Sequence, residues 1–498
     1  MPSSQETTAR FPTEPGKVDT PPWVWDAVFY QIFPDRFAKS PTLSKPAGLE
    51  AWETEPTTHG YKGGDLIGVV EHLDYIQDLG ANALYFNPIF QSASNHRYHT
   101  HDYFRVDPLL GGDDAFDTLV AACKERGIRI VLDGVFNHAS RGFFQFNDVL
   151  ENGDGSPWRD WFTFHDYPPN AYDSSRPPGY DAWVGLPALP KLNTDNPEVR
   201  EFIMQVGEYW LRKGIDGWRL DVPDEITTKG FWEEFRERTR AINAECYITG
   251  EIWHVTPEYL QGDRFDAVMN YPFTEAVLGF VGRGRIVRKH QEDRGYDPAQ
   301  GFSGTRYAQR VEHLLGLYDW NVTRAQMNLL DSHDTPRALT LMSDDVRSLE
   351  LAYLMMLTYP GAPTIYYGSE IGLDGGMPDQ WARKSFPWQD DSGWNVALRS
   401  EVKALVELRH TNPVLRHGSY ENLAATESSC AFARENDGDR LVVAVNSGED
   451  ADTLWISGET QLERLYSIGE AAHVTHERGA LSVTLPTRSA TIWRQSIG

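Results

Sequence analysis

Short runs rich in Val, Ile, Tyr and Phe recur along the chain. Between most of them lie longer stretches whose apolar residues return every three or four positions. The short runs read as strands and the longer stretches as amphipathic helices. Eight strands are predicted: "AVFYQIFP" (27–34), "ANALYFNP" (81–88), "IRIVLD" (128–133), "IDGWRLD" (215–221), "CYITGE" (246–251), "FDAVMN" (265–270), "MNLLDS" (327–332) and "PTIYYG" (363–368). "GVVEHLDYIQDLG" and "DDAFDTLVAACKERG" are intervening helices, the second closed by a basic last turn and a Gly. Eight strands alternating with helices predict an α/β fold, a (β/α)8 TIM barrel.

Two interruptions divide the chain. Between the third and fourth strands lies a Trp-, Tyr-, Pro- and Gly-rich stretch too long for a loop. It predicts an inserted subdomain over 138–195, with the barrel occupying 23–137 and 196–412. From about residue 413 short alternating runs such as "RLVVAVNS" and "SVTLPT" predict a C-terminal antiparallel β-sandwich over 413–498. Residues 1–22, rich in Pro, Ser, Thr and charge, read as a disordered tail.

Composition narrows the classes. The chain has 46 Lys and Arg against 72 Asp and Glu, a net charge of -26. That balance excludes a phosphate-binding footprint, so nucleic acid is not an expected partner. The three cysteines, Cys123, Cys246 and Cys430, form no CxxC pattern, which argues against a disulfide framework or a zinc site. No apolar run of about 18 residues appears, so no membrane span is expected. The N-terminus lacks an apolar core of signal-peptide length, which points to the cytoplasm. Most of the 16 Trp, 22 Tyr and 23 Phe must pack the core; some are candidates to face sugar rings.

Barrel chemistry sits at the carboxyl ends of the strands, and these ends are unusually polar. Strand three ends in Asp133, followed by Asn137 and His138; strand four ends in Arg219 and Asp221; strand five ends in Glu251. Strand seven is followed by Asp331, His333 and Asp334. With period two, Gly217, Arg219 and Asp221 share one face of their strand and Trp218, Leu220 and Val222 the other. If the first set faces the axis, both charges emerge at the barrel top, and Arg219 would hold Asp221 ionised. A lone carboxylate reads most simply as a structural ion pair; four charged strand ends on one rim read as a site.

The motifs "DGVFNH" (133–138), "GWRLDV" (217–222), "GEIWH" (250–254) and "LLDSHD" (329–334) resemble those of the α-amylase family of glycoside hydrolases, in its order and spacing. "LPKLN" (189–193) is similar to the neopullulanase, cyclomaltodextrinase and maltogenic amylase branch, here without that branch's N-terminal β domain. The resemblance implies Asp221 as nucleophile, Glu251 as general acid/base and Asp334 as transition-state stabiliser. It implies sugar contacts by His138, His333 and Arg219, a stacking Tyr98 with His96 beside it, and a platform at Trp253. "DQWAR" (379–383) resembles a clamp on the innermost sugar, giving Asp379 and Arg383. The implied substrate is an α-glucan oligosaccharide, a maltooligosaccharide or cyclodextrin, cut at α-1,4 and also α-1,6 links. A transglycosylase or isomerase on the same sugars, and a non-catalytic carbohydrate-binding relative, are the alternatives. Glu225 stands where members with the usual calcium site carry His, and "AKSPTLSKPAG" replaces the branch's acidic loop. No metal and no cofactor are therefore expected. The branch's dimer-building domain is not among the matched segments, which leaves a homodimer open beside a monomer.

Overall fold

The computed structural model describes residues 9–291, 295–458, 461–477 and 479–496. Eight parallel strands form the central sheet: β1 (Phe29–Ile32), β2 (Ala83–Phe86), β3 (Arg129–Gly134), β4 (Gly217–Leu220), β5 (Tyr247–Gly250), β6 (Ala267–Val268), β7 (Met327–Leu329) and β8 (Ala362–Tyr366). Their order is β7-β8-β1-β2-β3-β4-β5-β6. A parallel bridge between Met269 and Met327 closes the ring, as expected of a TIM barrel. The strands are mostly apolar because both faces are buried, with polar exceptions such as Gln31, Asp133 and Arg219. Phe29, Tyr85, Val131, Tyr247, Met269 and Met327 fill the barrel interior. Leu132, Trp218 and Ile248 point outward into the core shared with the helices. Gly217 carries no side chain for a steric reason: a Cβ there would lie 2.4 Å from the Tyr247 carbonyl oxygen.

The stretch between β3 and β4 closes on its own start. An antiparallel bridge joins His138 to Lys191, and further bridges join Ala182 to Pro190 and Phe164 to Tyr180. Within it the helix Phe144–Asn152 sets Phe146 against Phe162 and Tyr180, with ring centroids 4.8 and 4.9 Å apart. Both edges of the insertion therefore stand beside the carboxyl end of β3, where they wall the barrel mouth.

The C-terminal strands are β9 (Ser419–Ala425), β10 (Ser429–Asn436), β11 (Asp439–Asn446), β12 (Asp452–Ser457), β13 (Leu462–Ile468), β14 (His473–Glu477), β15 (Ala480–Leu485) and β16 (Ser489–Gln495). They form an antiparallel sheet β9-β10-β11-β16-β13 and a smaller sheet β12-β15-β14. Ala431, Val442, Leu454, Val483 and Trp493 pack between the two.

The tail expected over 1–22 is corrected for its described part. Arg10–Phe11 adds a strand to the edge of β9, pairing Arg10 with Glu421 and Phe11 with Tyr420. The helix Pro22–Trp25 then sets Trp23 under the barrel, 6.0 Å from Phe29 and 5.9 Å from Tyr247. Composition misled here because an open sheet edge supplies backbone partners to a polar segment. Residues 1–8 lie outside the described residues. Among the described residues no helix is long and apolar enough to cross a membrane.

Candidate active site

The inward set of β4 does reach the barrel top. Arg219 is fully buried, and its guanidinium faces three carboxylates. Nη1 donates to Asp133 Oδ1 at 2.7 Å and to Asp221 Oδ1 at 3.1 Å. Nη2 lies 2.9 Å from Glu251 Oε2. Four residues from three adjacent strands thus share one fork. Asp334 stands opposite, 3.1 Å from Arg383 Nη2 and 2.8 Å from His333 Nε2.

One cation is divided among three carboxylates. Burial first, and Glu251 next, push Asp221 well above the usual carboxylate range despite Arg219. Arg219 does lower Asp221, as the sequence suggests, but burial and Glu251 outweigh it. Glu251 is also raised, by burial and then by Asp334, against the pull of Arg219. Asp334 moves the other way. Burial would raise it, but His333 and Arg383 outweigh burial and hold it well below the ordinary value. Asp221 and Glu251 therefore titrate as an interacting pair, beside a carboxylate that is pulled the other way.

The three carboxylates line a cavity of about 430 Å³ with Tyr98, His138, Trp253 and Arg383, a size typical of a small-molecule site. Tyr98 is anchored by its hydroxyl, which donates to Asp133 Oδ2 at 2.7 Å, and its ring stacks on His333 at 5.4 Å. His138 is buried, and its Nε2 finds no protein partner. Burial pushes this imidazole down to about 3, so it is neutral at physiological pH. Trp253 stacks on Tyr271 at 3.8 Å and donates from Nε1 to Glu251 Oε1 at 3.0 Å. His96 holds the turn before Tyr98, accepting at Nδ1 from the Tyr98 N–H at 3.2 Å. Burial, and then Arg383, keeps His96 well below its ordinary range. Asp379 and Arg383 form an ion pair at 2.6 Å on one helical turn. His333 differs from the other candidates. It is fully buried, with Nδ1 facing Gln31 and Nε2 facing Tyr98 and Asp334.

Glu225 ion-pairs with Lys191 at 2.9 Å. Its carboxylate is thereby committed to a protein cation, and among the described residues no three His, Cys, Asp or Glu side chains converge as metal ligands. Calcium needs about six to eight oxygens, and this donor set does not fit it.

Several site residues escaped the sequence. Asp133 was visible as a strand-end carboxylate but not as the hub beneath Tyr98 and Arg219. Gln31 and Asn87 lie inside apolar strand runs, where a polar residue was the available signal. Trp183 stacks on His138 at 5.3 Å from the insertion, whose sequence carries no period that predicts it.

A family model described as "Alpha amylase, catalytic domain" matches residues 31–407. A cyclomaltodextrinase from a Bacillus species is 44% identical over 438 residues, 87% of this chain and 75% of that protein. An intracellular maltogenic amylase of Bacillus subtilis is 39% identical over 445 residues, 88% of this chain and 71% of that protein. The solved debranching enzyme of Nostoc punctiforme superposes with a TM-score of 0.89 at 49% identity, covering 96% of this chain and 99% of that one. With the barrel and its charged rim beside these matches, the chain belongs to the α-amylase family of glycoside hydrolases.

Proposed function

We propose that this chain cleaves α-glucosidic bonds of maltooligosaccharides and cyclodextrins with retention, by double displacement. The observation that carries the reading is the meeting of Asp221, Glu251 and Asp334 on one cavity, with Asp221 and Glu251 on two arms of a single guanidinium. Retaining hydrolysis needs two carboxyl groups about 5–5.5 Å apart, and one side chain contacting both favours that close spacing.

In the first step the Asp221 carboxylate attacks the anomeric carbon while the Glu251 proton passes to the glycosidic oxygen. The leaving sugar departs as an alcohol. The resulting Glu251 carboxylate then takes a proton from water, which attacks the same carbon and frees Asp221. Both transition states carry positive charge on the sugar ring, and the anionic Asp334 stabilises it. A proton shared by the buried pair supplies the acid; an ionised Asp221 is the productive form.

The remaining candidates receive binding roles. Tyr98 offers a ring face to the innermost glucose. His138 offers a free Nε2, and Asp379 with Arg383 clamps hydroxyls. Arg219 aligns the two carboxylates, and the buried His333 holds Asp334 from behind rather than touching the sugar. Trp253 lies beside the acid and borders the leaving group. The debranching name of the Nostoc relative supports α-1,6 links as a second target, and the intracellular name of the Bacillus subtilis relative supports a cytoplasmic reaction.

The test is product analysis on maltotetraose, pullulan and β-cyclodextrin side by side, with proton NMR of the first-formed anomer. The α-anomer should appear first and short linear glucans should accumulate. A β-anomer appearing first, or a dominant new linkage, would overturn the reading.

A further inference from the structure

His333 contacts Asp334 and has two neutral tautomers to choose between. The surrounding hydrogen bonds decide it. Asp133 is paired with Arg219 and can only accept, so the Tyr98 hydroxyl spends its single proton on Asp133 Oδ2 at 2.7 Å. The Tyr98 oxygen is then left as an acceptor. It receives the Asn87 Nδ2–H at 3.1 Å, which turns the Asn87 carbonyl toward Gln31. Gln31 answers with Nε2, which donates to Asn87 Oδ1 at 3.1 Å. The same Nε2 lies 3.1 Å from His333 Nδ1. Its second N–H points there, so Nδ1 carries no proton.

The other side of the ring gives the same answer. His333 Nε2 lies 2.6 Å from the Tyr98 oxygen. The Tyr98 proton is already committed, so the hydrogen in that contact belongs to Nε2. The same Nε2–H lies beside Asp334 Oδ2, at a heavy-atom distance of 2.8 Å.

We propose that Gln31 and Asn87 are positioning residues that fix His333 as the tautomer protonated on Nε2, so that an N–H is presented to Asp334. Neither touches the substrate cavity. They act through a relay running from the Asp133 carboxylate to Tyr98, Asn87, Gln31 and His333. Four of them sit on barrel strands or the turns that follow; Tyr98 sits on the hairpin between β2 and β3. The imidazole thus orients Asp334 and favours its charged form through a hydrogen bond, and the carboxylate keeps its field for the sugar cation. The proposal rests on the reading of Asp334 as the stabilising anion.

Neutron diffraction of the full chain in heavy water tests the tautomer directly. Deuterium is expected on Nε2 and not on Nδ1; deuterium on Nδ1 overturns the proposal. This result concerns hydrogen positions alone and stands whatever Asp334 does in turnover, which Asp334→Asn tests separately. Two variants test the consequence. Gln31→Glu is nearly isosteric but presents only an acceptor to Nδ1 and inverts the relay. Its kcat on maltotetraose should fall by about 100-fold, with KM within about threefold. Gln31→Met changes the shape more but leaves the Tyr98 arm to hold the tautomer, so it should retain at least about a tenth of kcat. A purely structural role predicts the reverse ranking, and that ranking would overturn the proposal.

Discussion

Asp221 and Glu251 are held together against their own repulsion. Both lie above the ordinary carboxylate range, chiefly because burial disfavours their charged forms. A carboxyl whose pKa is raised on folding stabilises the fold below its unfolded value near 4. That contribution is lost as pH rises through the folded value. At neutral pH the pair therefore costs stability. Asp221→Asn should remove about four orders of magnitude or more of kcat while making the protein about 1 kcal/mol more stable at pH 7. Calorimetry at pH 7 and pH 4 checks the sign: the gain should shrink at the lower pH, where less of the parent pair is ionised. Glu251→Gln should cost about 100-fold or more on maltotetraose and less on an aryl maltoside, whose leaving group needs little proton assistance. Equal losses on both substrates would remove Glu251 from the acid role.

The strand ends show how elements aim these groups. Asp221 is followed by Val222 at φ +36°, a left-handed position that a β-branched residue adopts at a cost. The turn points the Val222 N–H at Glu251 Oε2, 3.2 Å away, and so ties β4 to the acid after β5. Val222→Gly should relieve the strain and preserve the melting temperature. It should also lower kcat by about tenfold as the turn loosens. Deeper in β4, Gly217 lets the strand pass close to Tyr247. Gly217→Ala pushes a methyl into that backbone and should destabilise by about 1–3 kcal/mol, measured by chemical denaturation.

At the scale of the whole molecule, the barrel and the C-terminal sheets share buried polar ties. Arg434 on β10 is fully buried and, among the described residues, has no carboxylate partner. It donates instead to the carbonyls of Thr358, Leu415, Gly418 and Ser419. Burial pushes this guanidinium down to about 9. Arg434→Met would remove a donor from four carbonyls, of which Leu415 keeps a second donor from Arg409, and should cost about 3–5 kcal/mol. Turnover per folded molecule should be unchanged, because no site residue touches Arg434. Active-site titration alongside a denaturation curve separates the two effects.

The repeating strand and helix runs, the long interruption after "VLDGVFNH" and the short alternating runs after residue 413 were all legible in sequence. They are set by local periodicity, which a chain carries wherever it folds. The acids at the ends of β4 and β5, and Asp334 after β7, were legible for the same reason, since a charge ending an apolar run is a local signal. What the sequence did not reveal depends on neighbours far apart in the chain. Arg219 was assigned to Asp221 from two residues away, while the folded barrel divides it among Asp133, Asp221 and Glu251. That division reverses the expected charge balance. Arg10 and Phe11 read as tail until an edge strand from residue 419 onward gave them partners. Gln31 and Asn87 gained meaning only when β1 and β2 stood beside the turn after β7. Electrostatics and hydrogen bonding depend on distance through space, and only barrel closure sets those distances.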